Sequence, residues 1–261
     1  MSSYFVEGGH RLSGKVAIGG SKNASLAVLS AAMVLDGPCI VDNLPQIRDM
    51  ETLLEIFQEI GATVERLGPG RVRLDARTIS THEALSENIR QLRGSYYLMG
   101  ALLSRFNKVA LRMPGGCDFG PRPIDLHLKG FQTLGARTDI RHGIVFCEAD
   151  ELTGGGVFLD TVSVGATVNI MLAAVKAKGK TVIDNAAREP HIVDIANFLN
   201  AMGADIRGAG TDVIRINGRP YLPGDREYAV IPDQIEAGTY MLLAPLTGGD
   251  IEVTGVIPKH M

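Results

Sequence analysis

A chain of 261 residues, 45% hydrophobic and 21% charged, has the composition of a globular protein with room for one large domain or two smaller ones. Its formal net charge of −3 gives no global attraction for nucleic acid or an anionic membrane, so an anion site must rest on a few local cations. No stretch reaches the ~18–20 uninterrupted apolar residues of a membrane span, and residues 1–7 lack the regions of a signal peptide. Cys39, Cys117 and Cys147 are odd in number and show no CxxC spacing. That argues against a disulfide framework or a zinc site and for a cytoplasmic protein with reduced thiols.

In chain order, Lys22 to Leu35 reads as a helix with no charged face after its first turn, the pattern of a helix buried on every side. A strand at Cys39–Val41 follows, then an amphipathic helix ending at Gly61-Ala62, then strands at Thr63–Arg66 and Val72–Leu74. The order recurs. Gly94 to Ser104, Val109–Leu111 and a helix ending at Gly135-Ala136 form a second unit. Gly165 to Lys176, Thr181–Ile183, a helix ending at Gly203-Ala204, and strands Asp205–Arg207 and Val213–Ile216 form a third. The Gly-Ala pairs stand about 70 residues apart.

Each unit therefore reads helix, strand, helix, strand, strand, and three of them fill residues 21–230. If the apolar helices are central, the sheets must lie outside them. The expected fold is α/β, an inside-out barrel with buried helices. A fourth unit starts at Asp233–Tyr240 with a strand at Asp250–Val253, and the chain stops at Met261. Residues 1–20 and 231–261 are expected to be the remnant of a second, mostly missing domain of the same kind, and the chain a truncated one.

The segment Pro114 to His127 places one thiol, Cys117, in a loop shaped by Gly115, Gly116, Gly120, Pro121 and Pro123, with Arg122 five residues on. Such a loop answers backbone demands and not packing, which suits the holding of a ligand. Lys22 and Asn23 open the first apolar helix, where free N–H groups favour an anion. Cys39 and Cys147 sit in strands and read as core fillers, and His127 and His191 as surface or packing residues. Asp233 and Glu236 have the spacing of a helix start, and Glu189 suits an ion pair or a substrate contact equally. Gly154-Gly155-Gly156 lacks the phosphate-loop pattern and reads as a turn.

Five motifs, in phase with the repeat, carry a resemblance that covers nearly the whole chain. They are Gly20-Ser21-Lys22-Asn23-Ala24, then Gly115-Gly116-Cys117 with Arg122-Pro123-Ile124-Asp125-Leu126, then Val162-Ser163-Val164-Gly165-Ala166-Thr167. Asn185-Ala186-Ala187-Arg188-Glu189-Pro190 and Ile231-Pro232-Asp233 complete the set. Together they resemble the UDP-N-acetylglucosamine enolpyruvyl transferases, whose reaction commits UDP-N-acetylglucosamine to bacterial peptidoglycan. The family's fold is two domains of three such units each.

The resemblance implies transfer of the enolpyruvyl group of phosphoenolpyruvate to the 3′-hydroxyl of UDP-N-acetylglucosamine with release of phosphate, and no metal or organic cofactor. It implies that Cys117 is the general acid and the position alkylated by fosfomycin. Lys22, Arg93 and Arg122 would converge on phosphoenolpyruvate, with Asn23 beside Lys22. Arg122, Pro123, Ile124, Asp125 and Leu126 resemble the uridine-nucleotide segment, and Ser163, Val164 and Gly165 the diphosphate contact. Thr161 stands where many relatives carry lysine, and Gln234 where many carry arginine. The family's catalytic carboxylate would lie beyond Met261, so the chain alone is expected to be inactive. The alternatives are the shikimate-pathway enolpyruvyl transferase, which shares the repeat, and a non-catalytic nucleotide-binding repeat protein.

Overall fold

The computed structural model describes residues 3–113, 115 and 123–261. Strand β1 (Ser13–Ala17) precedes the first unit, which comprises α1 (Lys22–Ala32), β2 (Cys39–Asp42), α2 (Arg48–Glu59), β3 (Thr63–Gly68) and β4 (Arg71–Asp75). The second unit opens with β5 (Glu83–Ala84) and α3 (Glu87–Gln91). It continues through α4 (Leu98–Phe106), β6 (Lys108–Arg112), α5 (Asp125–Thr133), β7 (Arg137–Arg141) and β8 (Ile144–Glu148). The third has β9 (Gly156–Phe158), α6 (Val164–Ala174), β10 (Lys180–Asp184), α7 (Pro190–Ala201), β11 (Asp205–Arg207) and β12 (Val213–Asn217). Then come β13 (Glu227–Ala229), α8 (Gln234–Thr247) and β14 (Asp250–Thr254).

The helix-strand-helix-strand-strand unit is present three times, and α1, α4 and α6 are its buried helices. Every residue of α1 from Ala24 to Ala32 is buried, as are Leu98–Ser104 of α4 and Gly165–Ala174 of α6. A helix without a charged face has no side to offer water, so α4 packs on α6 and meets α1, while the outer helices cover α1 and α6. At the closest approach of α4 and α6, a Cβ on Gly100 would lie 2.3 Å from the Asn169 carbonyl oxygen. The outer helices are one-sided. In α2, Met50, Leu53, Leu54, Ile56 and Phe57 point inward, while Glu51 and Glu55 stay in water. Gly61, Gly135 and Gly203 follow the outer helices at φ +99°, +94° and +102°, values that close a helix at little cost only for glycine.

Each unit carries a four-stranded mixed sheet, in the orders β13-β2-β4-β3, β5-β6-β8-β7 and β9-β10-β12-β11. The sheets stay separate among the described residues, so the outside does not close into one barrel. Each ladder ends at its own edge strands, and the three units are joined by helix packing and by polar links such as the Lys176–Asp36 ion pair and the bonds from Arg105 to the Met33 and Leu35 carbonyls. The first strand in each order is short, runs parallel to its neighbour and was not anticipated; β13 reaches back from the end of the third unit to pair with β2. Two or three residues carry no readable periodicity. Residues 93–97 also differ from expectation, forming a 3₁₀ turn ahead of α4.

β1 and β14 pair in parallel as a separate two-stranded sheet beside α8. Cys39 and Cys147 are buried, and burial pushes both thiols up to about 12, as befits core residues. Among the described residues, no helix is long and apolar enough to cross a membrane.

Candidate active site

Ser21 sits in extended backbone and accepts the Ala24 N–H at 3.4 Å, which starts α1 at Lys22. The Lys22 N–H donates to Asp233 Oδ2 at 3.0 Å, and its ammonium pairs with Asp49 of α2 at 2.6 Å. That ion pair is exposed, so it contributes at most about 1 kcal/mol and yields readily to a better anion. Arg93, in the 3₁₀ turn ahead of α4, holds its guanidinium carbon 5.8 Å from the centre of the Tyr96 ring.

Lys22, Asn23 and Arg93, named from sequence, line one cavity of about 320 Å³ together with Leu26, Asp49, Gln91 and Tyr96. That volume is within the ~300–1,000 Å³ of ligand clefts.

Tyr96 joins this cavity to the other predicted segments. Its ring meets His127 of α5 edge-on at 5.2 Å. A Cβ on Gly165 would fall 2.5 Å from the Tyr96 hydroxyl oxygen and 3.0 Å from His127 Cε1. Ser163 caps α6 by accepting the Ala166 N–H at 3.3 Å, and Val164 packs partly against the core. Pro123 is exposed, Ile124 is buried, and Asp125 and Leu126 form the first turn of α5. Hence Gly165 of the 163–165 segment lies against Tyr96 and His127, and Tyr96 in turn lines the cavity of Lys22 and Arg93; residues 123–126 precede His127 in the chain. Cys117 and Arg122 lie outside the described residues.

His127 is buried, and a bond chain fixes its protonation. The Gly100 N–H donates to Asn169 Oδ1 at 2.8 Å, which turns the amide so that Nδ2 faces His127 Nδ1 at 3.0 Å. Nδ1 must therefore accept, and the proton sits on Nε2. Burial, aided by Arg93 and opposed by Asp125, takes the imidazole down to about 4. His127 is thus neutral near pH 7 and is a packing residue.

The sequence did not single out Asp49 or Tyr96. Asp49 comes from the outer helix of the first unit, and Tyr96 reads as one more apolar residue of a buried stretch. The spacing of Asp233 and Glu236 correctly marked a helix start, since Asp233 Oδ1 accepts the N–H groups of Ile235 and Glu236. Glu189 is exposed and accepts the Arg188 N–H at 2.9 Å.

The sequence pattern of EPSP synthase (3-phosphoshikimate 1-carboxyvinyltransferase) matches residues 6–261. The chain is 52% identical over 261 residues to UDP-N-acetylglucosamine 1-carboxyvinyltransferase 3 of Caldanaerobacter subterraneus subsp. tengcongensis, covering all of this chain and 62% of that protein. It is 50% identical to the UDP-N-acetylglucosamine 1-carboxyvinyltransferase of Clostridium botulinum, of which it covers 63%. Among solved structures, the enolpyruvyl transferase NikO from Streptomyces tendae superposes with a TM-score of 0.79 at 28% identity, over 90% of this chain and 55% of that one. EPSP synthase from Acinetobacter baumannii superposes with a TM-score of 0.75 at 21% identity, over 95% of this chain and 57% of that one, a likeness of fold alone. The chain thus spans somewhat over half to about three fifths of the length of these proteins.

Proposed function

The chain belongs to the EPSP synthase (3-phosphoshikimate 1-carboxyvinyltransferase) family, and from that footing we propose that it serves enolpyruvyl transfer from phosphoenolpyruvate to the 3′-hydroxyl of UDP-N-acetylglucosamine. The observation that carries this reading is the convergence of Lys22, Asn23 and Arg93 on one cavity at the start of α1. Two cations and a helix N-terminus suit a small ligand bearing both a phosphate and a carboxylate. Gly165 lies against Tyr96 of that cavity, and the segments 123–126 and 163–165 would take the nucleotide sugar.

In the proposed reaction the sugar hydroxyl adds to the substituted carbon of the enol phosphate, its proton passing to a general base. The methylene carbon takes a proton from Cys117 and becomes a methyl group; phosphate then departs with its C–O bond as the methyl gives a proton back to a base and the double bond re-forms. Lys22 and Arg93 would hold the anion through these steps, with Arg122 from the Cys117 loop. We take residues 21–230 as one domain, with 1–20 and 231–261 belonging to a second, and the protein as cytoplasmic. About half of this chain's residues are identical in relatives named for UDP-N-acetylglucosamine, which favours that acceptor over shikimate 3-phosphate.

Fosfomycin labelling followed by mass spectrometry tests the reading. A single adduct on Cys117, formed faster with UDP-N-acetylglucosamine present and unaffected by shikimate 3-phosphate, is the expected result. Labelling promoted by shikimate 3-phosphate alone would reverse the choice of acceptor, and no adduct under either condition would sink the reading.

A further inference from the structure

Asp194 of α7 is 1% exposed, and none of the proposed chemistry uses it. An unpaired carboxylate at such depth would cost several kcal/mol, so its partners define its purpose. Oδ1 accepts the Tyr228 hydroxyl at 2.5 Å, and Oδ2 accepts the Ile231 N–H at 3.4 Å. The same hydroxyl lies 3.1 Å from the Asp194 carbonyl oxygen. Both partners of the carboxylate are donors. The Ile231 N–H can only donate, whereas the Tyr228 hydroxyl can also accept, with the Asp194 carbonyl 3.1 Å away to take its proton; an amide here could keep both contacts, and only a side chain without polar atoms would lose them.

Both donors lie on the segment that leads out of the third unit. From Ile231 the bonding continues directly to the candidate site. The Ile231 carbonyl accepts the Ser21 N–H at 2.8 Å, and the Asp233 N–H donates to the Gly19 carbonyl at 2.9 Å, with Gly20 and Pro232 bridged antiparallel between them. The crossing leaves no slack, because a Cβ on Gly20 would lie 1.6 Å from the Asn43 carbonyl oxygen. Ser21 then caps α1, and Asp233 Oδ2 accepts the Lys22 N–H. Three hydrogen bonds in series, Asp194–Ile231, Ile231–Ser21 and Ser21–Ala24, therefore run from a buried carboxylate in the third unit to the first turn of α1 in the first.

We propose that Asp194 is a positioning residue: its carboxylate fixes residues 228–231 and, through the Ile231–Ser21 bond, sets the turn of α1 that presents Lys22 and Asn23. The proposal rests on the reading above, in which Lys22 and Asn23 bind substrate. A purely structural carboxylate would stabilise the whole fold evenly. A positioning one acts on a few amides far from α7 and on ligand affinity.

The test is Asp194→Ala in the 261-residue chain, followed by residue-resolved amide hydrogen exchange and by titration with UDP-N-acetylglucosamine. The Ser21, Lys22 and Ile231 amides should exchange about tenfold faster or more, while amides inside α4 and α6 stay within about twofold of wild type. Affinity for UDP-N-acetylglucosamine should fall several-fold. Unchanged exchange at Ser21 and Lys22, equal acceleration throughout the core, or undiminished affinity would each overturn the proposal. Should Asp194→Ala fail to fold, Tyr228→Phe replaces it; it removes one donor and keeps the aromatic packing on Phe198, and the same pattern is expected at lower amplitude. Wild-type chain that does not bind UDP-N-acetylglucosamine would refute the functional reading, and the exchange pattern would then decide the Asp194 link by itself.

Discussion

His127 shows how one buried side chain ties the site to pH. Its folded value of about 4 lies below the 6.5 of an ordinary imidazole, with burial as the main cause. Between those values the unfolded chain takes up a proton that the folded chain refuses. Stability therefore rises with pH across that window and is lost on acidification. The full gap is worth about 3 kcal/mol. Urea unfolding of wild type and His127→Gln at pH 7 and at pH 4.5 measures it. The glutamine variant can still accept from Asn169 but has no proton to gain, so it should lose less stability over this interval. Equal losses would show that His127 titrates normally.

Residues of this kind are where sequence reading meets its limit. The place of Lys22 at the start of a buried helix was legible, because a lone charge there precedes an apolar run. Asp194 was not, because a polar residue in an amphipathic helix has the same signature whether it faces water or a crossing strand. Its partners, Tyr228 and Ile231, come from more than thirty residues away, and no local pattern records that distance.

At the scale of elements, the buried helices were readable from what they lack. Without a charged face, α1, α4 and α6 had only the interior to occupy, and their ends fall within a few residues of the expected ones. The short strands β5, β9 and β13 were not readable, since pairing and not composition selects them. Close packing between elements makes a further prediction. Gly165 lets α6 sit against Tyr96 and His127, and its Cβ would lie within 3.0 Å of both. Gly165→Ala should cost about 1–3 kcal/mol in urea unfolding and weaken UDP-N-acetylglucosamine binding. Gly156→Ala, in β9 with nothing within 4 Å of its Cβ, serves as the control; it should stay within about 0.5 kcal/mol of wild type. Equal effects from the two would show that the contact between α6 and Tyr96 carries no weight.

For the whole molecule, α8 poses the opposite case to α1. Both are apolar, yet α8 buries only Ala237 and leaves Ile235, Met241, Leu242 and Leu246 at 60%, 50%, 64% and 79% exposure. These side chains make a face much larger than a lone exposed residue, and such a face drives association in water. Covering each large side chain gains about 1.5–3 kcal/mol, so the four together gain on the order of 10 kcal/mol. Association costs ~4–15 kcal/mol in lost freedom. The balance is a weak, concentration-dependent contact and not a tight dimer. Light scattering of the purified chain over a range of concentrations should show its apparent mass rising with concentration. The double variant Leu242→Glu, Leu246→Glu should hold the mass at 27.9 kDa or close to it, with an unchanged unfolding midpoint, because neither leucine is packed in the core. A wild-type chain that stays sharply monomeric would mean that the α8 face is too small or too broken to bind its own kind. Association that survives the double variant would place the contact elsewhere on the molecule.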